Sequence, residues 1–175
     1  EQTRRLMEVC RMRDTPVIVF INKMDRDGKN RFDLMEEIEK ELNISLHPMT
    51  LPINQGKDFK GVYNLYEKNL VLFAASTKGE EDTLEIKDLQ NKILDEKVGE
   101  RDAETLREDV ELVDGVYGEL NVADYLLGKV APVFFGSAVN NFGVRELLNT
   151  FIRIAPTPRD RQTNARSVSV ADPKF

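Results

Sequence analysis

The amino-acid sequence predicts an α/β fold, a mostly parallel sheet with flanking helices, interrupted by an inserted α+β subdomain. Three observations lead to this prediction. Residues 16–21 and 131–135 are apolar runs without polar alternation, which is typical of strands buried on both faces of a parallel sheet. A helical pattern of apolar residues follows each run. Between them come short strands and then charged helices, the order expected of a separate α+β unit.

The first helix is predicted over residues 1–13, where Leu6, Val9 and Cys10 lie at helical spacing on one face. Cys10 is the only cysteine, so an internal disulfide is excluded, and its place on this face predicts an inert, buried thiol. The helix starts without a methionine or an N-cap, so we expect the chain to be part of a longer protein. A break at residues 14–16 leads into the first strand.

A second amphipathic helix follows, and its apolar face is formed by Phe32, Met35, Ile38 and Leu42. Asn30 is its predicted N-cap, because a short amide side chain can accept a hydrogen bond from the first free main-chain N–H groups. Glu36 and Lys40 are spaced to form an ion pair on the exposed side. We expect this helix to cover one side of the parallel sheet.

Residues 44–129 are predicted to form the inserted subdomain. Its first half has the pattern of an antiparallel meander, with strands at 49–53, 61–66 and 70–75. Its second half contains charged amphipathic helices, predicted at 84–98, 102–113 and 122–127. The interrupted domain then comprises residues 1–43 and 130–158, and residues 159–175 are assigned to a linker and the start of a following β domain.

The last helix of the interrupted domain is predicted after the turn at residues 140–143 and ends before Pro156. Its apolar residues recur at helical spacing, and we expect all of them to face the sheet: Val144, Leu147, Leu148, Phe151 and Ile152.

The net charge of −6 argues against broad, nonspecific binding to nucleic acids, and no sequence-specific reader is indicated. Residues 44–129 contain 10 basic and 18 acidic residues, so the acidity is concentrated in the insertion. The acidic residues predicted on one of its helices include Glu108, Asp109 and Glu111. Their charge could steer the insertion towards a basic partner or merely keep it soluble.

Neither a membrane nor a metal site is indicated by the sequence. No apolar run approaches the roughly 20 residues of a membrane span, and no signal peptide opens the chain, so we expect a cytoplasmic protein. His47 is the only histidine, and no cluster of Cys and His exists to hold zinc. We interpret His47 as an ordinary strand or loop residue.

The first apolar run ends in Asn22, Lys23, Met24 and Asp25, which spell the guanine-selecting motif Asn-Lys-x-Asp of GTP-binding proteins. A carboxylate offers two acceptor oxygens, and guanine offers two adjacent donors, the N1–H and the 2-amino group. Adenine has no donors there and would leave Asp25 unpaired, at a cost of roughly 1–3 kcal/mol or more. The alternative interpretation is a charged loop after a strand.

The second run ends in Gly136, Ser137 and Ala138, which match the other guanine-base loop of GTP-binding proteins. Small residues allow main-chain N–H groups to approach the O6 atom of the base. Since the carboxyl ends of parallel strands share one edge of a sheet, both loops are expected to face the same ligand.

The whole chain resembles translational GTPases of the elongation-factor type, which carry an insertion before the Gly-Ser-Ala loop. The resemblance implies a partial P-loop-type GTPase domain that binds GTP or GDP through Asn22, Lys23, Asp25, Ser137 and Ala138. It further implies that the Lys23 stem lies along the base and that Asn22 ties neighbouring loops together. Within the family, a likeness to the member acting in termination is spread over residues 6–16, 22–27, 59–63 and 132–138. Such factors use GTP on the ribosome to eject class-I release factors.

The sequence departs from the family in one respect, since Gly-x-x-x-x-Gly-Lys-Ser/Thr does not occur. The phosphate cradle, its lysine and the Mg²⁺-binding hydroxyl are therefore missing, and no catalytic or metal-ligating residue is assigned. We expect this chain alone to bind GTP weakly and not to hydrolyse it, because phosphates supply most of the charge-assisted contacts.

Two alternatives stay open at the level of sequence. The parent could be another elongation-factor-type or ribosome-protection GTPase with the same insertion. The insertion could also act chiefly as a binding module, because in related factors it touches the ribosomal stalk protein. In either case the implied partner is the ribosome, and class-I release factors would be affected indirectly.

Overall fold

The computed structural model describes residues 2–73, 82–158, 160–162 and 166–171. The helices in these ranges are α1 (Gln2–Met12), α2 (Arg31–Leu42), α3 (Lys92–Val98), α4 (Glu100–Tyr117), α5 (Val122–Leu126) and α6 (Val144–Ile154). The strands are β1 (Val19–Ile21), β2 (Ser45–Pro48), β3 (Thr50–Ile53), β4 (Gly61–Asn64), β5 (Asn69–Leu72), β6 (Asp82–Glu85), β7 (Val130–Phe135), β8 (Arg161–Gln162) and β9 (Ser167–Val168). None of the described helices is long and apolar enough to cross a bilayer.

A parallel sheet with the strand order β1-β7-β2 confirms the predicted α/β class. The central strand β7 is buried from Ala131 to Phe135, as its unbroken apolar run predicts. Strand β1 has β7 on one side only, and of its residues just Ile21 is buried. The prediction that the first run is buried on both faces is therefore wrong for β1, because it is an edge strand of the described sheet.

Strand β2 belongs to the parallel sheet, although its residues were predicted to open the insertion. Ser45 pairs with Val130 and Pro48 pairs with Val133, both in parallel register. The chain then leaves this sheet at Met49, whose N–H donates to the carbonyl of Val133 at 2.8 Å. The change of sheet therefore occurs one strand later than the change in sequence pattern at residue 44.

The inserted strands form an antiparallel sheet in the order β3-β4-β5-β6, which confirms the predicted meander. Strand β6 lies where a helix was predicted from residue 84, because Leu84 pairs with Leu70 on β5. Helix α3 begins only after Asn91, whose side chain accepts a hydrogen bond from the N–H of Ile93. Residues 74–81, which include the end of the strand predicted at 70–75, lie outside the described residues.

Each face of the antiparallel sheet contributes to a different apolar cluster. Val62 and Val71, opposite each other on β4 and β5, pack with the parallel sheet and α2. Their neighbours Tyr63 and Leu70 point the other way and pack with α3 and α4. This alternation follows from the two-residue period of a strand. The antiparallel sheet is thus the middle layer of the molecule.

Helix α2 has the predicted cap and the predicted face. The Asn30 side chain accepts a hydrogen bond from the N–H of Phe32 at 2.9 Å. Met35 is almost fully buried, and Phe32, Ile38 and Leu42 pack around the same cluster. The exposed ion pair between Glu36 and Lys40 is also present.

Helix α6 does not bury the face that the sequence predicts. Its buried residues are Glu146 and Thr150, while Phe151 is 47% exposed and Ile152 is 77% exposed. The prediction that the apolar residues of this helix face the sheet is therefore wrong for most of the face. The physical reason is that the described sheet ends at β1, so no described element covers that side.

Helix α1 shows a similar difference. Met7 is its buried residue, whereas Leu6 is 66% exposed and Cys10 is only partly buried. The predicted apolar face is therefore wrong, and the thiol of Cys10 is not in a core. The pair β8 and β9 forms a short antiparallel hairpin near the end of the chain. The assignment of residues 159–175 to a following domain stays a prediction, since part of it lies outside the described residues.

Candidate functional site

The two predicted loops lie side by side at the carboxyl ends of β1 and β7. We call them the Asn-Lys loop (residues 22–28) and the Gly-Ser loop (residues 136–142). The N–H of Gly136 donates to the carbonyl of Ile21 at 3.0 Å, and the N–H of Met24 donates to the carbonyl of Gly136 at 3.0 Å. The pairing of β1 with β7 therefore continues into both loops and brings them to one edge of the sheet.

Asn22 joins the two loops through a single oxygen. Its Oδ1 accepts the N–H of Lys23 at 2.7 Å and the N–H of Ala138 at 2.8 Å, although Asn22 and Ala138 are 116 positions apart. One side chain thus fixes the conformation of its own loop and the position of the other. This is the tying role that the family resemblance implies for Asn22.

Lys23 has a left-handed backbone conformation, with φ at +68°. Such a conformation is uncommon for a long side chain and costs of order 1 kcal/mol or more. The hydrogen bond from its own N–H to Asn22 holds it there. The turn directs Lys23 to the surface while the next residue, Met24, is buried and anchors the loop.

Asp25 follows this anchor and is only partly buried. Within the described part of the chain, its carboxylate accepts no hydrogen bond and forms no ion pair. A carboxylate of this kind retains all its acceptor capacity for a ligand with two adjacent donors. Asp25 therefore has the environment that reading a guanine edge requires.

Several polar groups of the Gly-Ser loop are already hydrogen-bonded within the fold, which the sequence did not indicate. Ser137 is buried, it exchanges two main-chain hydrogen bonds of 3.0 Å with Phe142, and its Oγ accepts from Asn140 at 2.8 Å. The N–H of Ala138 donates to Oδ1 of Asn22. Ser137 is thus a scaffold of the loop, and an incoming carbonyl oxygen would compete with Asn22 for Ala138. The main chain continues outward at Val139, which is 87% exposed.

Gly136 is required by space rather than by a turn. A Cβ atom at this position would lie 2.3 Å from the carbonyl oxygen of Phe142 and 2.8 Å from the ring of Phe20. Real side-chain carbons do not approach other atoms so closely, so any larger residue would displace Phe142 at the end of the Gly-Ser loop or the ring of Phe20 on β1. The small residues here were predicted to give main-chain N–H groups access to the base, whereas Gly136 has a packing role in the structure.

The insertion contributes to this site, which was not predicted from the sequence. The N–H of Gly56 donates to the carbonyl of Met24 at 2.8 Å, and the side chain of Gln55 donates to the carbonyl of Gly28 at 2.7 Å. In the sequence, only a glycine in a polar turn marks this contact, and the sequence does not show which residue the turn contacts. Among the described residues, no group of three or more His, Cys, Asp or Glu could hold a metal ion.

A separate polar cleft of about 340 Å³ lies between α4 and the turn after β3. Some of its charged residues form ion pairs, Arg31 with Asp109 and Asp102 with Lys60, while Asp58 and Arg101 also line it. Because no residue of the Asn-Lys loop or the Gly-Ser loop lines this cleft, we do not assign it to the nucleotide.

Comparison with known proteins supports the same family. A family model described as the elongation factor Tu GTP binding domain matches residues 1–157. The chain belongs to this family. The matched residues include both the parallel sheet and the insertion. A crystal structure of ttk003000868 from Thermus thermophilus is similar in fold, with a TM-score of 0.59 and 22% sequence identity. The alignment covers 89% of this chain but 24% of that one, so the chain spans about a quarter of the length of this relative.

Proposed function

We propose that this chain supplies the guanine-reading half of a nucleotide site in a translational GTPase. The observation that carries the proposal is that Oδ1 of Asn22 accepts the N–H groups of both Lys23 and Ala138. These two hydrogen bonds hold the Asn-Lys loop and the Gly-Ser loop next to each other. Asp25 stands in one loop, where its carboxylate has no partner among the described residues, and main-chain amides stand in the other. Asn22, Lys23, Asp25, Ser137 and Ala138 are the proposed binding residues, of which Ser137 acts by shaping its loop.

The proposed ligand is GDP or GTP, recognised first through its base. Asp25 accepts the N1–H and the 2-amino group, and the Gly-Ser loop donates to O6. Because the chain has no Gly-x-x-x-x-Gly-Lys-Ser/Thr segment, the phosphates gain little from it. We therefore expect weak binding and no GTP turnover by this chain alone.

The test changes the protein and the base together, so that the hydrogen-bonding groups of the two match again. An Asp25→Asn substitution replaces one acceptor by a donor, whereas xanthine replaces the 2-amino donor of guanine by a carbonyl acceptor. We expect the dissociation constant for GDP to rise at least tenfold and the variant to prefer XDP, as followed by NMR titration. A charged hydrogen bond contributes about 1.5–3 kcal/mol, which corresponds to roughly a tenfold change or more.

The matched control is Asp14→Asn, which makes the same change before β1, at the opposite end of the strand. Asp14 is exposed and has a φ of +46°, a conformation that asparagine also adopts. This variant should bind GDP like the wild-type chain. Equal affinities for GDP and ADP in the wild-type chain would end the proposal.

We further propose that the protein containing this sequence is peptide chain release factor 3, a GTPase acting in translation termination. The likeness spread over residues 6–16, 22–27, 59–63 and 132–138 supports this narrower assignment. Because β2 pairs with β7, residues 1–48 and 130–158 would then be parts of its GTP-binding domain and residues 49–129 its inserted subdomain. The ribosome is the proposed partner, and contact with the stalk protein through the insertion is part of the proposal.

The narrower assignment is tested with the full-length protein. It should release a class-I release factor from ribosomes in the presence of GTP, and Asp25→Asn should move this dependence from GTP to XTP. A protein that leaves the release factor bound but supports another ribosomal step would instead be an elongation-factor-type or ribosome-protection GTPase.

A further inference from the structure

The insertion makes direct hydrogen bonds to both ends of the segment that carries Asp25. The N–H of Gly56 donates to Met24, just before Asp25, and the Gln55 side chain donates to Gly28, just after it. Both donors belong to the turn that follows β3, which includes a 3₁₀ turn at Gly56–Asp58. This turn therefore holds the Asn-Lys loop at two points, through hydrogen bonds of 2.8 Å and 2.7 Å.

Only glycine fits at position 56. Gly56 is buried and has a φ of +67°, in the left-handed region that other residues rarely adopt. A Cβ atom there would lie 2.0 Å from Oδ1 of Asp27 and 3.4 Å from its main-chain nitrogen. The carboxylate of Asp27, a residue of the Asn-Lys loop, would have to move.

The Gly-Ser loop is also supported by the insertion, through three aromatic rings. Phe59 and Phe73 flank the antiparallel sheet, and their ring centroids lie 5.6 Å and 5.2 Å from that of Phe142, both edge to face. Such pairs contribute about 0.5–1.5 kcal/mol beyond their buried area. Phe142 in turn exchanges both of its main-chain hydrogen bonds with Ser137. Displacing the turn after β3 would therefore disturb both loops.

We propose that Gln55 and Gly56 are positioning residues for the guanine site, so that the insertion sets the geometry of base recognition. This inference rests on the proposed function for its ligand, while its structural part can be measured without any ligand. The residues do not touch the base. They act by holding the segment that presents Asp25.

The experiment compares Gly56→Ala with Gly118→Ala in the full chain. Gly118 ends α4 with a φ of +60°, but no atom lies within 4 Å of a Cβ placed there. The two variants therefore share a positive φ at the substituted position and differ in the clash with Asp27. We expect Gly56→Ala to raise the dissociation constant for GDP at least fivefold and to speed amide exchange at Met24 at least tenfold. Gly118→Ala should leave both within twofold.

A second pair of variants tests the same inference if the Gly56→Ala chain does not fold. Gln55→Glu keeps the shape but replaces the donor by a carboxylate facing the carbonyl of Gly28, and Gln90→Glu makes the same change on an exposed part of the insertion. The first should weaken GDP binding at least threefold and speed exchange at Met24. The second should change neither.

The outcomes separate this inference from the proposed function. If the wild-type chain shows no preference for GDP over ADP, the proposed function fails, and exchange at Met24 still decides whether the turn positions the loop. If GDP is preferred but affinity and exchange are the same in Gln55→Glu and Gln90→Glu, the inference is overturned and the function stands. Equal acceleration in Gly56→Ala and Gly118→Ala also overturns it.

Discussion

His47 illustrates how burial sets the chemistry of a single residue. It lies in β2, its ring meets Tyr117 edge to face at 6.1 Å, and burial lowers its pKa below the ordinary value of 6.5. The folded chain therefore favours the neutral imidazole. An unfolded chain has no such environment and takes up a proton at the ordinary pKa.

This difference predicts a pH dependence of stability with a definite sign. Below about pH 6.5 the unfolded state binds a proton that the folded state excludes, so the free energy of unfolding falls as the pH decreases towards the folded-state pKa. One such group contributes at most about 1.4 kcal/mol per pH unit. Urea unfolding from pH 7.5 to 5.5 should show a smaller fall for His47→Gln. Since His47 is the only histidine, coinciding slopes would contradict the prediction.

At the scale of elements, a largely buried ion pair joins the insertion to the interrupted domain. Arg31 opens α2, Asp109 lies in the middle of α4, and their side chains are 15% and 11% exposed. Burial raises the pKa of Asp109, and the neighbouring Arg31 opposes this shift. Asp109 is therefore not among the surface acids of the insertion, whereas Glu108 and Glu111 remain exposed. A test of stalk binding by charge reversal should use the latter two.

Removing one partner of this pair leaves the other charge buried and unpaired. We expect Asp109→Ala to lower the free energy of unfolding by about 3 kcal/mol. Its neighbour Glu108 is exposed, so Glu108→Ala should stay within about 0.5 kcal/mol of wild type. Denaturant unfolding of the two variants measures both. Equal, small losses would show that the pair does not hold α2 to α4.

At the scale of the whole molecule, the parallel and antiparallel sheets are fastened together at the start of β3. Thr50 is fully buried, and its Oγ1 accepts the N–H of Phe135 on β7 at 3.0 Å. Val62 and Val71 of the antiparallel sheet pack into the apolar cluster that this sheet forms with the parallel sheet and α2. The two sheets therefore share one core, and we expect them to unfold in a single transition.

A Thr50→Val substitution tests this connection, because valine has the shape of threonine without the acceptor. The buried N–H of Phe135 would lose its partner, at a cost of about 1–3 kcal/mol. Thr83→Val, on the exposed edge strand β6, should change stability by less than about 0.5 kcal/mol. Fluorescence and circular dichroism should shift together in the Thr50 variant. Separate transitions for the two sheets would contradict a shared core.

The sequence by itself determined the α/β class, the buried strand β7, the capped helix α2 and the residue types at the ends of β1 and β7. Each of these follows from local periodicity or from a short motif, and both depend only on residues a few positions apart. Asn22 and Asp25 were recognisable for the same reason.

Only the tertiary structure decided which partners these elements take. Periodicity records that a face is apolar but not what covers it, so the exposed face of α6 and the pairing of β2 with β7 could not be inferred. The hydrogen bond from Ala138 to Asn22 spans 116 positions, and the clash that excludes a side chain at Gly56 depends on Asp27 in another domain segment. Contacts between distant residues arise from packing as a whole, and no local pattern encodes them.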